Sequence, residues 1–93
     1  MRTTNQECRE FVQERKPFKA SNLDGRQVGK LYVVYSYAWY PLFVYDTISC
    51  VWYENTTKYS VSTTRQKSNA HPMVKYIQGL SHEDIKELIY KLK

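Results

Sequence analysis

The clearest pattern along the chain is an alternation of apolar side chains between residues 31 and 37. An extended chain would place Leu31, Val33, Tyr35 and Tyr37 on one side and Tyr32, Val34 and Ser36 on the other. Most of these residues are β-branched or aromatic, which favours a strand. We therefore predict a strand from Leu31 to Tyr37 with two apolar faces.

Further short apolar runs continue this pattern downstream. They predict a connection over Ala38 to Pro41, a strand from Leu42 to Asp46, a strand from Ile48 to Glu54 and a short fourth strand from Lys58 to Val61. Turn residues separate the runs at Asp46-Thr47 and at Asn55-Thr56-Thr57. The expected arrangement is an antiparallel meander.

The segments around this centre are more polar. We expect an N-terminal helix from Thr4 to Lys16, ended by Pro17. Phe18 to Lys30 is expected to be a short extended piece followed by a turn, with Asp24-Gly25 as the strongest turn dipeptide. Ser62 is a suitable N-cap for a brief helix through Lys67, which stops before His71-Pro72.

The strongest helix signal covers residues 81–93. Ser81 is a good N-cap, Glu83 and Asp84 lie in the first turn, and Lys91 and Lys93 lie in the last. The apolar positions of this segment form one stripe, made of Ile85, Leu88, Ile89 and Leu92. We predict that this C-terminal helix packs on the sheet, with Leu88 buried.

These elements predict one α+β domain over residues 1–93, with a three- or four-stranded antiparallel meander, a C-terminal helix on one face and a short N-terminal helix. One helix can cover only one face of the sheet. The other face, with Tyr32, Val34, Phe43 and Tyr45, then needs cover from the N-terminal helix, a second copy of the chain or a partner. The pattern thus allows a homodimer.

The central region resembles a family of small uncharacterised proteins from tailed bacteriophages. The resemblance covers residues 18–72, and its motifs are Phe18 to Gly25, Tyr32 to Tyr37, Pro41 to Asp46, Trp52 to Asn55, Lys58 to Thr64 and His71-Pro72. Gln66 and Lys67 precede His71-Pro72 as in the family, whereas Ala38 stands where the family commonly has Gly. The resemblance implies a phage-type origin and gives no activity.

Charge makes a binding function more plausible than any other class. Fourteen basic residues against nine acidic ones give a net charge of +5. Residues 55–82 hold four basic and no acidic side chains, and residues 15–30 hold five basic side chains against Asp24. Such blocks suit an anionic partner. Together with the resemblance to phage proteins, they predict a non-enzymatic protein that binds a host macromolecule in the host cytoplasm.

Two kinds of partner fit this prediction. For nucleic acid, Arg65 with Lys58 and Lys67 would contact phosphates, and aromatic side chains would stack on bases; the residues concerned are Arg65, Lys67, Lys58, Trp39, Tyr37 and Tyr59. For a host protein, such as an enzyme or a defence component, Trp39 is the leading anchor. Alternating aromatic residues of a strand are also ordinary core residues, and scattered lysines are ordinary surface residues.

Catalytic, metal and cofactor signatures are missing from the sequence. Cys8, Cys50, His71 and His82 are the candidate nucleophiles and bases, and no known motif frames them. We expect no catalysis, no metal and no cofactor, with a small hydrolase or nuclease as the remaining alternative. Both cysteines are expected as reduced thiols, Cys50 buried in a strand. No basic-then-apolar leader opens the chain, so neither secretion nor membrane insertion is expected.

Overall fold

A computed structural model describes residues 3–4, 7–37, 39–57, 70–72 and 74–92 of the chain. It contains helix α1 and six strands followed by helix α2. Their bounds are α1 Arg9–Gln13, β1 Phe18–Lys19, β2 Leu23–Val28, β3 Leu31–Ser36, β4 Tyr40–Asp46, β5 Val51–Asn55, β6 Ile77–Leu80 and α2 His82–Leu92.

The strands form one six-stranded sheet in the order β1-β2-β3-β4-β5-β6. Neighbours from β1 to β5 are antiparallel, whereas β6 pairs with β5 in parallel. The α+β class and the central meander are confirmed. The prediction of three or four strands is wrong, because β1, β2 and β6 are also paired. The predicted strand from Lys58 to Val61 and the predicted helix from Ser62 to Lys67 lie outside the described residues.

Asp24-Gly25 is not a turn, as the sequence suggested, but lies within β2 opposite Tyr35 and Val34. Packing explains this glycine. A Cβ on Gly25 would meet the Tyr32 hydroxyl and would lie 2.5 Å from a ring carbon of Phe18. Glycine is therefore required here for close approach of side chains to the backbone. The turn into β3 instead uses Gly29, whose φ is 58°.

Both faces of the sheet are covered by the chain itself. The first face carries a cluster that includes Tyr32, Val34, Phe43 and Trp52, and it is closed by Cys8, Val12 and Ala70. The second face carries Leu31, Val33 and Val44 under Ile85 of α2. The open face that suggested a homodimer is thus occupied by the N-terminal segment, because α1 directs Val12 into the cluster.

Helix α1 is shorter than the predicted Thr4 to Lys16. Its end has Schellman geometry, in which Lys16 N–H donates to the Phe11 carbonyl at 2.8 Å and Arg15 N–H donates to the Val12 carbonyl at 3.0 Å. Arg15 takes the left-handed conformation, with φ 55°. The helix therefore ends at Gln13, well before Pro17.

Helix α2 matches its sequence pattern. The Ser81 hydroxyl accepts a hydrogen bond from Asp84 N–H at 3.2 Å, which confirms the predicted N-cap. The predicted apolar stripe packs on the second face of the sheet. Ile85 is its fully buried member, whereas Leu88 is only half-buried. The prediction that the helix lies on the sheet is confirmed.

The two cysteines differ in their surroundings. Cys50 was expected to be buried in a strand, but it is exposed in the turn before β5, with φ 60°. The turn forms because the Asp46 carboxylate accepts hydrogen bonds from the backbone N–H groups of Ile48 and Ser49. Cys8 is buried, and burial raises the pKa of its thiol to about 11.

No helix in the described residues is long and apolar enough to cross a membrane.

Candidate functional site

A groove of about 330 Å³ lies between the turn that joins β3 to β4 and one side of α2. We call it the Trp39 groove. Aromatic and apolar side chains dominate its lining, which consists of Tyr35, Trp39, Pro41, His82, Lys86, Ile89 and Tyr90. Trp39 and Tyr90 are 56% and 74% exposed. The groove therefore presents two large aromatic side chains to solvent.

The turn between β3 and β4 sets the position of Trp39. Tyr37 takes a left-handed conformation, with φ 53°, and its N–H donates to the Asn22 carbonyl at 2.9 Å. Trp39 N–H donates to the Ser36 carbonyl at 3.3 Å, and the indole meets the Tyr40 ring edge-on at 5.5 Å between centroids. The predicted connection from Ala38 to Pro41 is too long, because Tyr40 and Pro41 already belong to β4.

Pro41 occupies an irregular position of β4, where a residue without an N–H is tolerated. The pairing of β3 with β4 shifts register here: Val34 lies opposite Phe43, but Tyr35 lies opposite Pro41. Such bulges accommodate proline within a sheet. The Pro41 carbonyl accepts a hydrogen bond from the side chain of Asn55 at 2.9 Å. The irregularity thus creates a site for one specific polar side chain.

Asn55 is fully buried at the end of β5, although the sequence Asn55-Thr56-Thr57 predicted a turn. Its Oδ1 accepts from Thr57 N–H at 3.0 Å, and its Nδ2 donates to the Pro41 carbonyl. The same Nδ2 lies 3.0 Å from Nδ1 of His82. Because a backbone donor binds Oδ1 and a carbonyl binds Nδ2, the orientation of the amide is fixed.

This orientation fixes the tautomer of His82. Nδ1 faces an N–H donor, so it must accept, and the ring proton then resides on Nε2. Burial lowers the pKa of His82, and the nearby charge of Lys86 lowers it further, while Glu83 opposes the shift. His82 is therefore held neutral, with one ring N–H as its donor.

Stacking completes the support beneath the groove. The rings of Tyr40 and His82 lie nearly parallel, with centroids 4.5 Å apart and an interplanar angle of 9°. The Tyr40 hydroxyl donates to the Thr57 carbonyl at 3.1 Å, and the Thr57 hydroxyl accepts from the His82 backbone N–H at 2.9 Å. These contacts connect β4, the end of β5 and the start of α2, so the two sides of the groove are held together.

The groove carries little charge. Lys86 is the charged side chain in its lining. The guanidinium of Arg26 lies over the ring of Tyr35, another lining residue, at 4.1 Å from the centroid and pairs with Asp24 at 3.3 Å.

The described residues as a whole hold nine basic and nine acidic side chains. The net charge of +5 therefore comes from residues outside them, Arg2, Lys58, Arg65, Lys67 and Lys93.

The predicted site residues fall into two groups. Tyr37 and Trp39 are exposed at the β3–β4 turn, and Trp39 lines the groove. Lys58, Tyr59, Arg65 and Lys67 lie outside the described residues.

The basic block over residues 15–30 is divided between the two faces of the sheet. The Arg15 guanidinium lies over Tyr45, which packs with the first cluster, whereas Arg26 lies over Tyr35, which packs with the second. Arg15 and Arg26, two of the five basic residues of this block, therefore do not lie on the same side of the sheet.

Sequence reasoning missed most of the groove. Tyr90 and Lys86 line the groove but belong to no motif that the sequence analysis identified. The sequence indicated His82 only as one of four candidate nucleophiles and bases, whereas the structure shows it stacked on Tyr40. One signal was available: a proline inside an otherwise strand-like run indicates a bulge. Pro41 in the run Tyr40 to Asp46 fits that signal.

Two of the other candidate nucleophiles and bases, His71 and Cys50, lie in different surroundings. The ring of His71 packs edge-on against Phe43 at 5.6 Å, and Cys50 lies in the turn before β5. No group of three or more His, Cys, Asp or Glu side chains in the described part of the chain is arranged to hold a metal ion.

Comparison of the chain with protein-family models, curated proteins and solved structures found no match.

Proposed function

We propose that this chain is a non-enzymatic, phage-type accessory protein that binds a segment of a host protein in the Trp39 groove, in the host cytoplasm. The observation that carries the proposal is that two exposed aromatic residues, Trp39 and Tyr90, line one groove together with the less exposed Pro41 and Ile89. Tryptophan and tyrosine are the residue types that most often dominate protein interfaces.

The rigidity of the groove supports a binding role. Its sides are joined by the buried Asn55 amide and the Tyr40–His82 stack, so a partner meets a preformed surface. A preformed surface loses little conformational entropy on binding. The surroundings of two candidate groups, His82 and Cys8, argue against catalysis. The Nδ1 lone pair of His82 is occupied by Asn55, and burial keeps the Cys8 thiol protonated at neutral pH.

The balance of charge favours a protein partner at this groove. Single-strand binding sites combine stacking residues with a positively charged path for the backbone. Here Lys86 is accompanied on α2 by Glu83 and Glu87, so the helix offers no basic stripe. An interface dominated by aromatic contacts does not require one.

Pull-down from host lysate tests the proposal. Wild type, Trp39→Ala and Tyr90→Ala are compared with Tyr76→Ala, which removes an aromatic side chain that is 80% exposed and outside the groove lining. We expect a host protein that resists nuclease treatment, is retained by wild type and by Tyr76→Ala, and is lost from both groove variants. Equal retention by all four proteins would contradict the proposal.

A second candidate function is nucleic-acid binding by the segment that holds Lys58, Tyr59, Arg65 and Lys67. The observation in its favour is that residues 55–82 carry four basic and no acidic side chains. For this function, Arg65→Ala weakens binding to a single-stranded oligonucleotide and reduces the magnitude of the salt slope by about one. Fluorescence anisotropy at several salt concentrations measures both. Absence of any oligonucleotide binding by the wild type at low salt would contradict it.

A further inference from the structure

We infer that the Trp39 groove contains a pH-sensitive switch, in which a proton on Nδ1 of His82 breaks the contact with Asn55 and releases the start of α2 from the end of β5. The groove then loosens, because His82 belongs to its lining. The inference specifies how binding at the groove is regulated, so it rests on the proposed function. Three observations support it: the fixed amide of Asn55, the packing of the His82 ring and the charges around that ring.

The Asn55 amide cannot adapt to a protonated histidine. Its Nδ2 donates to the Pro41 carbonyl at 2.9 Å and lies 3.0 Å from Nδ1 of His82, while its Oδ1 accepts from Thr57 N–H at 3.0 Å. Protonated Nδ1 needs an acceptor, and a half-turn of the amide would bring Oδ1 to it. That half-turn would also place Oδ1 against the Pro41 carbonyl and Nδ2 against the Thr57 N–H, which are two pairs of like groups. The amide therefore accepts only the neutral ring.

The packing of His82 determines how the protonated ring responds. The ring stacks on Tyr40 at 4.5 Å between centroids, and the backbone N–H of His82 donates to the Thr57 hydroxyl at 2.9 Å. A ring that turned over in place would keep the stack but leave a buried N–H of Asn55 without an acceptor. A ring that moves out lets water reach that N–H, and the stack is lost. Since His82 is the first residue of α2, this movement frees the start of the helix.

The charges around His82 favour its neutral form. Burial lowers the pKa of His82, and the charge of Lys86 lowers it further, while Glu83 opposes the shift. The positive end of the α2 dipole acts in the same direction as Lys86. Among the described residues, the other titratable side chains that stack on His82 or share its groove are tyrosines, which are uncharged near neutral pH: Tyr40 of β4, Tyr35 of β3 and Tyr90 of α2.

The direction of the switch follows from these surroundings. The pKa of His82 is lowered while the ring is packed, and it returns toward the ordinary value of 6.5 once the ring reaches solvent. The released ring therefore binds a proton more readily than the packed ring does. The packed state is favoured above pH 6.5 and loses population as the pH falls toward the lowered pKa.

An NMR titration of the full chain from about pH 7.5 to about pH 5.5 tests the switch. The ring nitrogen shifts of His82 report its tautomer and protonation, the side-chain N–H resonances of Asn55 report the contact, and the indole N–H resonance of Trp39 reports the groove. We expect the ring proton on Nε2 at the higher pH and one common midpoint for all three residues. His71, which packs on Phe43 on the other face, is expected to titrate with a midpoint of its own.

Hydrogen exchange separates local release from unfolding. The protection factor corrects for the effect of pH on exchange itself. For the His82 backbone N–H we expect it to fall at least about fivefold over this pH range, the lower end of typical coupling between two sites. The N–H of Val33, a fully buried residue of the central strand β3, is expected to keep its protection. Equal losses at both positions would show unfolding instead of release and would contradict the inference.

His82→Asn is the matched control. Its amide oxygen can take the position of Nδ1, and it does not titrate. We expect the Asn55 and Trp39 resonances of this variant to stay nearly constant over the pH range. If they shift as in wild type, His82 is not the switch. The common midpoint in wild type tests the same point without the variant.

The outcomes also separate the switch from the proposed function. For the captured host protein, we expect the Kd of wild type to rise at least about fivefold on acidification and that of His82→Asn to change less. If His82 is protonated while the Asn55 and Trp39 resonances stay constant, or if the wild-type Kd is the same at both pH values, the switch is wrong. The proposed function still stands in either case when the host protein is lost on Trp39→Ala. If the midpoints coincide and no host protein depends on Trp39, the proposed function is wrong and the switch remains a property of the fold.

Discussion

The side chain of Asn55 donates a hydrogen bond to Nδ1 of His82 over 3.0 Å, and this contact joins the end of β5 to the first turn of α2. The two residues are 27 positions apart in the chain. His82 lines the Trp39 groove, while Asn55 lies buried behind it and also holds the Pro41 carbonyl. The groove therefore depends on a residue that does not line it.

Replacement of Asn55 tests this dependence. Asn55→Ala is expected to lower the free energy of unfolding by about 2 to 4 kcal/mol, because it leaves buried polar groups without their partner. Urea denaturation measures the change. Gln27→Ala, at an exposed position of β2, is the control and is expected to change it by less than about 0.5 kcal/mol. Equal stability of both variants would show that the Asn55 contacts are unimportant.

The neutral state of His82 predicts a pH dependence of stability. The pKa of His82 is lower in the folded protein than in the unfolded chain, where it has the ordinary value of 6.5. At pH values below 6.5, the unfolded chain therefore binds more protons at this side chain than the folded protein does. The stability that depends on neutral His82 is fully present above pH 6.5 and is lost as the pH falls toward the folded-state pKa. Protonation of Nδ1 would also remove the acceptor of the Asn55 hydrogen bond, because two N–H donors would then face each other.

Urea midpoints at about pH 7.5 and about pH 5.5 measure this effect, since the interval spans the ordinary histidine pKa. Wild type is expected to lose stability on acidification, and His82→Gln, which keeps an acceptor but does not titrate, is expected to lose less. His71 is present in both proteins and affects both alike. The same loss in both proteins would contradict a neutral, hydrogen-bonded His82.

Local patterns were sufficient to predict the centre of the fold. Alternation over Leu31 to Ser36 specifies which side chains share a face of the strand, and the stripe of α2 specifies which side of the helix is buried; the structure confirms both. Strand β6 gives no such signal, since it has four residues, none of them buried, and its partner β5 lies far back in the chain. Parallel pairing over that distance depends on tertiary packing.

The groove was largely beyond prediction for the same reason. Trp39 was singled out as an anchor because it is a tryptophan in a connection. The role of Asn55 arises only once the bulge at Pro41 exposes a carbonyl and α2 brings His82 beside it. Asn-Thr-Thr alone has the composition of a turn, and nothing local in it indicates burial.

The close contact at Gly25 predicts a second effect on stability. Gly25→Ala is expected to destabilise the protein by about 1 to 3 kcal/mol, because the new methyl group would overlap Tyr32 and Phe18. Tyr32 cannot easily retreat, since its hydroxyl donates to the Lys16 carbonyl at 2.8 Å. Thermal denaturation measures the loss.

Gly79→Ala is the matched control for Gly25→Ala. Its Cβ would meet only the methyl group of Thr56, an exposed side chain whose change of rotamer would cost one solvent-exposed hydrogen bond, from its hydroxyl to the Leu80 carbonyl. We expect a much smaller change in melting temperature than for Gly25→Ala. A larger loss for Gly79→Ala would show that the packing around Gly25 is not as described.

The burial of side chains along α2 predicts how much each alanine substitution lowers the free energy of unfolding. Ile85 is fully buried and Leu88 half-buried, so Ile85→Ala is expected to cost about 2 to 4 kcal/mol and Leu88→Ala about half as much. Urea denaturation of the two variants measures the difference. A larger cost at Leu88 would mean that α2 is rotated on the sheet relative to the structure.

The central claim is that aromatic contacts in the Trp39 groove, rather than the basic residues between 55 and 82, hold the partner. The most direct test measures the Kd of the purified host protein for wild type, Trp39→Ala and Arg65→Ala at several salt concentrations. We predict a Kd that changes little with salt, rises at least about thirtyfold on Trp39→Ala and is almost unchanged on Arg65→Ala. A steep salt dependence together with loss of binding on Arg65→Ala, and none on Trp39→Ala, would contradict it.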